Sequence, residues 1–331
     1  MGNARLWIQG MRLRTLMVGI APAIVGIVAG YRAGGSRATP RFAVTAVLCV
    51  LVALLLQIAV NYANDYSDGI RGTDSGRGGE EAQTNKPRRL TASGLVAPRQ
   101  VLAAAGITAA LACACGIAVV VLTGSYWLLA VGVACLVAGW FYTGGKHPYG
   151  YIGFGELGVF VFFGLVAVLG TQYALARTID GMGIVGAIII GMLACVLLMT
   201  NNLRDVREDA VYGKHSLAVR IGETNARRLL LAVYLLNMGL TIAAAFTPLA
   251  ALLSQAFSLR CSAVYSAALC MPDATSLVGA WLAALAGGVC VWSATVMVGS
   301  IMRKDFHKAL ALAGSTPMLF AVVYAILGVL V

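Results

Sequence analysis

Apolar runs of about twenty residues recur along this chain until its last residue, Val331, and a run of that length is what an α-helix needs to cross the hydrocarbon core of a bilayer. Inside lipid every backbone N–H and C=O must be paired within the protein, so repeated apolar runs read as a bundle of spanning helices. Hydrophobic residues make up 60% and charged residues 11% of the 331, against roughly half and a quarter in a soluble domain. The fold class is therefore an all-α polytopic membrane protein, one transmembrane domain over residues 1–331, with the lipid bilayer as its first partner. Disorder, a secreted disulfide scaffold and a soluble nucleic-acid binder are excluded, and the net charge of +11 has to be read by position.

Runs of spanning length fall at about 15–31, 43–64, 99–122, 126–142, 154–174, 183–203, 229–250, 275–300 and 309–330. Nine crossings are expected, with eight or ten as alternatives because Arg260 and Pro272 interrupt the stretch from Ser254 to Asp273. Nineteen of the 24 Lys and Arg residues fall on the N-terminal side of this map; Arg32, Arg37, Arg41, Arg177 and Arg260 fall on the other. The positive-inside rule then puts the N-terminus and the polar loops 65–98 and 204–228 in the cytoplasm, in the cytoplasmic membrane of a prokaryote. Arg12 and Arg14 precede the first run without a clear cleavage site after it, so that run is expected to be a retained helix. The eight cysteines form no C-x-x-C or Cys/His cluster and read as structural thiols, with a Cys261–Cys270 disulfide as the minor alternative.

The carboxylates are more informative. Asp65, Asp68, Asp74, Glu80 and Glu81 follow the second run, and Asp205, Glu208, Asp209 and Glu223 follow the sixth. Asn61-Tyr-Ala-Asn-Asp65 and Asn201-Asn-Leu-Arg-Asp205 both read N-x-x-x-D, both close a long apolar run, and they stand four helices apart. Two tandem four-helix units plus a ninth helix would bring the pair to one cavity.

At about 100° per residue, Asn61, Asp65 and Asp68 share one helical face, as do Asn201, Asp205 and Asp209 if the helix runs on through Asp209. Carboxylates this close are tolerable only beside cations. Oxygen ligands without His or Cys select a hard ion, and Mg²⁺ takes one or two carboxylates with water and phosphate oxygens in the remaining positions. Phosphate partners stand close by in Lys86, Arg88 and Arg89, in Arg204, Arg207 and Lys214, and in Lys146. A secondary transporter also lines its cavity with carboxylates, but it has no need of clustered basic residues beside them.

Asn64–Asp74 (N-D-Y-S-D-G-I-R-G-T-D), Tyr142–Lys146 (Y-T-G-G-K) and Asn201–Gly222 (N-N-L-R-D-V-R-E-D-A-V-Y-G-K-H-S-L-A-V-R-I-G) resemble the UbiA superfamily of intramembrane prenyltransferases. Within it they are most similar to the 1,4-dihydroxy-2-naphthoate branch of menaquinone biosynthesis, and Met11–Leu16 (M-R-L-R-T-L) adds to the match. The sequence departs from that branch at Leu13, where a proline is usual, and in the K-P-R-R of Lys86 to Arg89 behind an insertion from Ser75 to Asn85.

The resemblance implies transfer of a polyprenyl chain from an allylic polyprenyl diphosphate to 1,4-dihydroxy-2-naphthoate, with loss of CO₂, a proton and diphosphate, giving demethylmenaquinol. It implies a pair of Mg²⁺ ions held by Asp65, Asp68, Asp74, Asp205 and Asp209. Arg14, Asn61, Lys86, Arg88, Arg89, Asn201, Arg204 and Lys214 would bind diphosphate or substrate, and Tyr142 and Lys146 would act on the cation, the diphosphate or the acceptor. The alternative within the family is another aromatic acceptor such as 4-hydroxybenzoate. Phe160, Phe162, Phe163 and Tyr173 are candidates for a prenyl tunnel as much as for lipid-facing packing. Glu156 is a carboxylate at the start of an apolar helix, functional or merely an N-terminal acid; His147, His215 and His307 show no ligand spacing.

Overall fold

A computed structural model describes residues 3–35, 38–74, 89–262 and 274–330, with the side chains of Asn3, of Arg14 and of 245–262, 274–286 and 327–330 outside that description. Lys86, Arg88, the 75–85 insertion and the Cys261–Cys270 pair therefore lie outside the described side chains.

The described residues form helices: α1 (Asn3–Gly10), α2 (Leu13–Ala33), α3 (Pro40–Arg71), α4 (Pro98–Thr123), α5 (Leu128–Phe141), α6 (Gly155–Val159), α7 (Ala167–Ala176), α8 (Gly181–Arg204), α9 (Val206–Val211), α10 (Leu217–Ser262), α11 (Ala274–Met302) and α12 (Phe306–Leu330). A widened turn over Phe160–Val166 joins α6 to α7 as one rod. By length and composition seven of these segments are long and apolar enough to cross a membrane, and Leu128–Phe141 and Gly287–Met302 are shorter apolar helices. Together they match the nine expected runs among the described residues.

Local chemistry sets the ends. Thr39 caps α3 by accepting the Phe42 N–H at 3.1 Å, Pro40 supplies a pre-set φ at the first turn, and Gly72 closes the helix at φ 77°. Asp180 caps α8 by accepting the Gly183 N–H at 2.8 Å.

Packing follows the repeat. α3 lies along α4 and α8 lies along α10, while α2 packs on α7 and α12. The larger core gathers Val25, Val168, Ile189, Leu193, Leu230 and Met297 from α2, α7, α8, α10 and α11. A smaller one joins Ile58 and Tyr62 of α3 to Leu90 and Val101 beside it. The α6–α7 rod reaches α8 through glycines: a Cβ on Gly164 would stand 2.7 Å from the Gly191 Cα.

Two loop bounds need correction. α3 continues to Arg71, past the expected end of the run at 64, so the first polar stretch opens as helix and carries the helical face of Asp65 and Asp68. The second loop is largely helical: α9 occupies Val206–Val211 and α10 begins at Leu217, broken only at Gly222 (φ 80°). The stretch after Ser254, open in the sequence, extends the helix before it: α10 continues as far as Ser262.

Candidate active site

A cavity of about 1230 Å³ opens between the two halves. One end is polar and carries residues of both acidic motifs, Asn61, Asn64, Asp68 and Asp74 with Asn201, Asn202, Asp205 and Asp209, so the repeat does bring the motifs together. The remainder is an apolar bore lined by α3, α4, α5, α7 and α8, and includes Phe162 and Phe163. Phe160 instead packs on Gly191, and Tyr173 meets the Trp127 ring edge-on at 5.0 Å.

The first motif divides by task. Asp65, 1% exposed, is absent from the cavity wall. Its Oδ2 accepts the Leu90 N–H at 3.0 Å and its Oδ1 the Thr91 N–H at 2.8 Å, so both oxygens are engaged by the chain that returns over α3. That chain sits tight, since a Cβ on Gly69 would stand 2.4 Å from Thr91 Cγ2. Asn61 ties α3 to α2, donating to Met11 O at 2.8 Å and Thr15 Oγ1 at 3.0 Å. Asn64, Asp68 and Asp74 face the cavity, with Thr143 donating to Asn64 Oδ1 at 2.8 Å. The expected Asn61–Asp65–Asp68 face thus presents Asp68 and the Asn61 side chain, while Asp65 braces from behind.

The second motif bends. α8 stops at Arg204, and Asp205 (φ −96°, ψ 6°) joins it to α9, which replaces the continuous stripe through Asp209 with a corner. Backbone bonds from Asp205 N to Asn201 O (3.1 Å) and from Asp209 N to Asp205 O (2.8 Å) keep the three residues on one side. Arg204 pairs with Asp205 at 2.5 Å, Lys214 with Asp209 at 3.1 Å, and Arg89 with Asp74 at 3.2 Å.

Tyr151, which follows Lys146 by five residues, links the motifs. Its hydroxyl donates to Asp68 Oδ1 at 2.7 Å and lies 2.9 Å from Thr73 Oγ1, and Lys214 Nζ stands 6.0 Å from its ring centre. Arg71 lies on the same ring at 5.5 Å and donates to the Gly145 carbonyl. Tyr142 lines the cavity with Tyr149, ring to ring at 5.5 Å. Burial pushes the Tyr151 phenol up, and that of Tyr149 up to about 12, so both are neutral. Lys146 is exposed and absent from the cavity wall, as are the three histidines.

Arg12, beside the expected Arg14, lines the cavity, its Nε and Nη2 buried and without a hydrogen bond among the described residues. Burial and the nearby Arg89 hold its guanidinium down to about 10, against the attraction of Asp65, Asp74 and Asp68. Nothing in Arg12 and Arg14 before the first run distinguishes a substrate-binding arginine from a topology signal; nor do Tyr149 or Tyr151 stand out, because aromatics in a short connection carry no ligand spacing.

The donor set fits Mg²⁺. The polar wall offers carboxylate and amide oxygens, and among the described residues no three of His, Cys, Asp or Glu converge as a closed metal cage. An ion that keeps few protein ligands and completes its shell with phosphate and water oxygens suits such a wall.

Comparison with known proteins agrees. The chain is 48% identical over 231 residues to the 1,4-dihydroxy-2-naphthoate octaprenyltransferase of Mycobacterium tuberculosis, covering 69% of this chain and 74% of that one. It is 40% identical over 308 residues to the protein of the same name from Mycobacterium leprae, covering 91% and 99%. In fold it is similar to a UbiA homolog from Archaeoglobus fulgidus, with a TM-score of 0.61 at 12% identity over 98% of each chain. A structure of an Archaeoglobus fulgidus UbiA homolog bound to DMAPP and Mg²⁺ superposes with a TM-score of 0.59, at 12% identity over 96% of this chain and 98% of that one. The model of the UbiA prenyltransferase family matches residues 19–262, nearly all of the bundle that builds the cavity, and the chain belongs to that family.

Proposed function

We propose that the protein transfers a polyprenyl chain from an allylic polyprenyl diphosphate to 1,4-dihydroxy-2-naphthoate, releasing CO₂ and diphosphate and forming demethylmenaquinol, the lipid-soluble precursor of menaquinone. The observation that carries this reading is the cavity itself: two acidic, arginine-flanked motifs at one end and a long apolar bore at the other, the shape of a diphosphate with an isoprenoid tail. The names of the curated relatives support the choice of acceptor.

Asp68 and Asp74 on one wall and Asp205 and Asp209 on the other would hold a pair of Mg²⁺ ions through the diphosphate. When bound, the ions would neutralise charge building on the departing diphosphate. Arg12, Arg89, Arg204 and Lys214 surround the same end and offset the rest of that charge. As the C1–O bond of the donor breaks, its electron pair leaves on the diphosphate, and the ring of Tyr142, a residue of the cavity wall, would face the allylic cation. The acceptor carbon bearing the ionised carboxylate forms the new bond to C1. Its bond to the carboxylate then breaks, CO₂ leaves, and the electron pair restores the aromatic ring. The bore keeps water from the cation.

The basic side of the map and both motifs would then face the cytoplasm of a prokaryotic cell, with the polar groups of both substrates on that side. The test follows the carboxyl carbon. Carboxyl-labelled dihydroxynaphthoate, polyprenyl diphosphate and Mg²⁺ should give labelled CO₂ in step with prenylated product. Product that retains the label, or turnover with 4-hydroxybenzoate alone, would reassign the acceptor; absence of any new carbon–carbon bond would favour a transporter.

A further inference from the structure

One half-buried acid has no task in this chemistry. Glu156 stands in the first turn of α6, within an apolar span, where a carboxylate is costly unless something holds it. Its Oε1 accepts a 3.0 Å hydrogen bond from Asn202 Nδ2, and its Oε2 is buried without a hydrogen-bond partner among the described residues. An amide nitrogen can only donate, and here it donates to the carboxyl oxygen, so the bond sets the amide plane: nitrogen toward Glu156, oxygen away from it.

Asn202 is buried on α8, three residues before Asp205, and lines the cavity. Among the described residues its Oδ1 accepts no hydrogen bond, whereas the side-chain oxygens of Asn61 and Asn64 are taken by Gln57 and Thr143. Tyr142 borders the same region, its hydroxyl 3.5 Å from where a Cβ on Gly155 would stand. A neutral, aimed acceptor beside the proposed cation-facing ring suits the proton of a phenol, since a buried hydroxyl left unpaired is costly.

We propose that Asn202, aimed by Glu156, orients the aromatic acceptor by taking the hydrogen bond of its 4-hydroxyl. The inference rests on the dihydroxynaphthoate reading above. In that acceptor the 1-hydroxyl lies ortho to the carboxylate and bonds to it internally, so the 4-hydroxyl is the one that needs a protein partner. Glu156 is a positioning residue: it touches Asn202, not substrate.

The experiment pairs enzyme and acceptor deletions. The purified full chain is assayed in lipid with polyprenyl diphosphate and Mg²⁺, taking KM for dihydroxynaphthoate and, as competitor, Ki for 1-hydroxy-2-naphthoate, which lacks only the 4-hydroxyl. The native protein should bind the competitor about tenfold more weakly than the substrate, the worth of one such hydrogen bond. Asn202→Ser and Glu156→Ala should raise KM for dihydroxynaphthoate about tenfold, leave Ki nearly unchanged, and leave KM for the donor within about twofold. Glu156→Gln, which still offers Asn202 an acceptor oxygen, should restore the native values. Persistence of the full discrimination in either Asn202→Ser or Glu156→Ala overturns the proposal, as does a Glu156→Gln protein that behaves like Glu156→Ala. Should Asn202→Ser fail to fold, the Glu156→Ala and Glu156→Gln pair decides alone. A native protein that turns over another aromatic but not dihydroxynaphthoate removes the function reading instead, a separate outcome.

Discussion

The Tyr151 hydroxyl donates a 2.7 Å hydrogen bond to Asp68, which makes a residue from the connection before α6 the support of an acid on α3. Tyr151→Phe deletes that bond and leaves the ring under Lys214 and Arg71. A hydrogen bond to a charged group is worth about 1.5–3 kcal/mol, so kcat/KM for the prenyl diphosphate should fall roughly tenfold to a hundredfold. Acceptor KM should not change. Because the phenol is pushed up by burial, it is a donor throughout the neutral range, and the defect should be the same at pH 6 and pH 8.

Asp65 and Asp68 are three residues apart and should fail in different ways. Asp68→Ala removes a cavity carboxylate, and turnover should nearly vanish with the fold intact. Asp65→Ala strips two buried backbone N–H groups of their acceptors, at about 1–3 kcal/mol each, so the loss should appear first as a lower thermal midpoint. EDTA should silence the native protein and Mg²⁺ should restore it. An Asp65→Ala protein as stable as the native one, but with a raised Mg²⁺ requirement, would return Asp65 to the metal.

These two acids show where sequence reasoning reached and where it stopped. The nine runs, the shared end of the motifs and the hard-oxygen character of the wall were legible, because span length, charge sorting and ligand chemistry are local properties. Which oxygen faces the cavity was not. Helical periodicity places Asp65 and Asp68 on one face but carries no trace of the Leu90 and Thr91 amides returning over it, twenty-five residues later. The corner at Asp205 was hidden for the same reason, since nothing in N-N-L-R-D-V-R-E-D marks a helix stop. Lys146 had the right chemistry and motif, yet the turn at Gly144 and Gly145 leaves it exposed, and Tyr151 further along reaches Asp68 instead.

Among the described residues two buried guanidinium nitrogens of Arg12 have no hydrogen bond beside the carboxylates, a costly arrangement that an incoming phosphate would relieve. With its pKa lowered to about 10, it remains charged at neutral pH, and the charge declines only as pH rises through that value. Arg12→Ala should raise KM for the donor diphosphate by about tenfold or more, while Arg12→Lys, which keeps charge but loses the planar fork, should recover part of it. Equal donor KM in Arg12→Ala and native protein would remove Arg12 from the site.

Sidedness is open to direct chemistry. In a Cys-less background, cysteines at the exposed Arg99 and Arg207 should react with an impermeant maleimide only from the cytoplasmic side. One at Tyr126, 70% exposed in the connection between α4 and α5, should react only from outside. Labelling of Arg99→Cys and Arg207→Cys from opposite sides would contradict a single cavity shared by both motifs.

The bore makes a prediction about chain length. Gly132 and Gly170 line it, and a Cβ at either would meet no atom within 4 Å, so a larger side chain there has room to project without forcing the helices apart. Helix propensity favours the change as well, since phenylalanine recovers part of the roughly 1 kcal/mol that glycine inside a helix costs relative to alanine. Gly170→Phe should therefore fold at least as well as the native protein yet shorten the space left for the isoprenoid. With geranyl diphosphate as donor its rate should stay within about twofold of native; with a donor of eight isoprene units KM should rise or turnover fall by about tenfold, the cost of excluding a few methylenes from an apolar site. Competition between the two donors in one tube, read as the ratio of short to long product, measures this without reference to enzyme concentration. A ratio unchanged from native would mean that the long tail leaves the bore before α7, through an opening toward lipid between the helices, and that Gly170 faces space the substrate never enters.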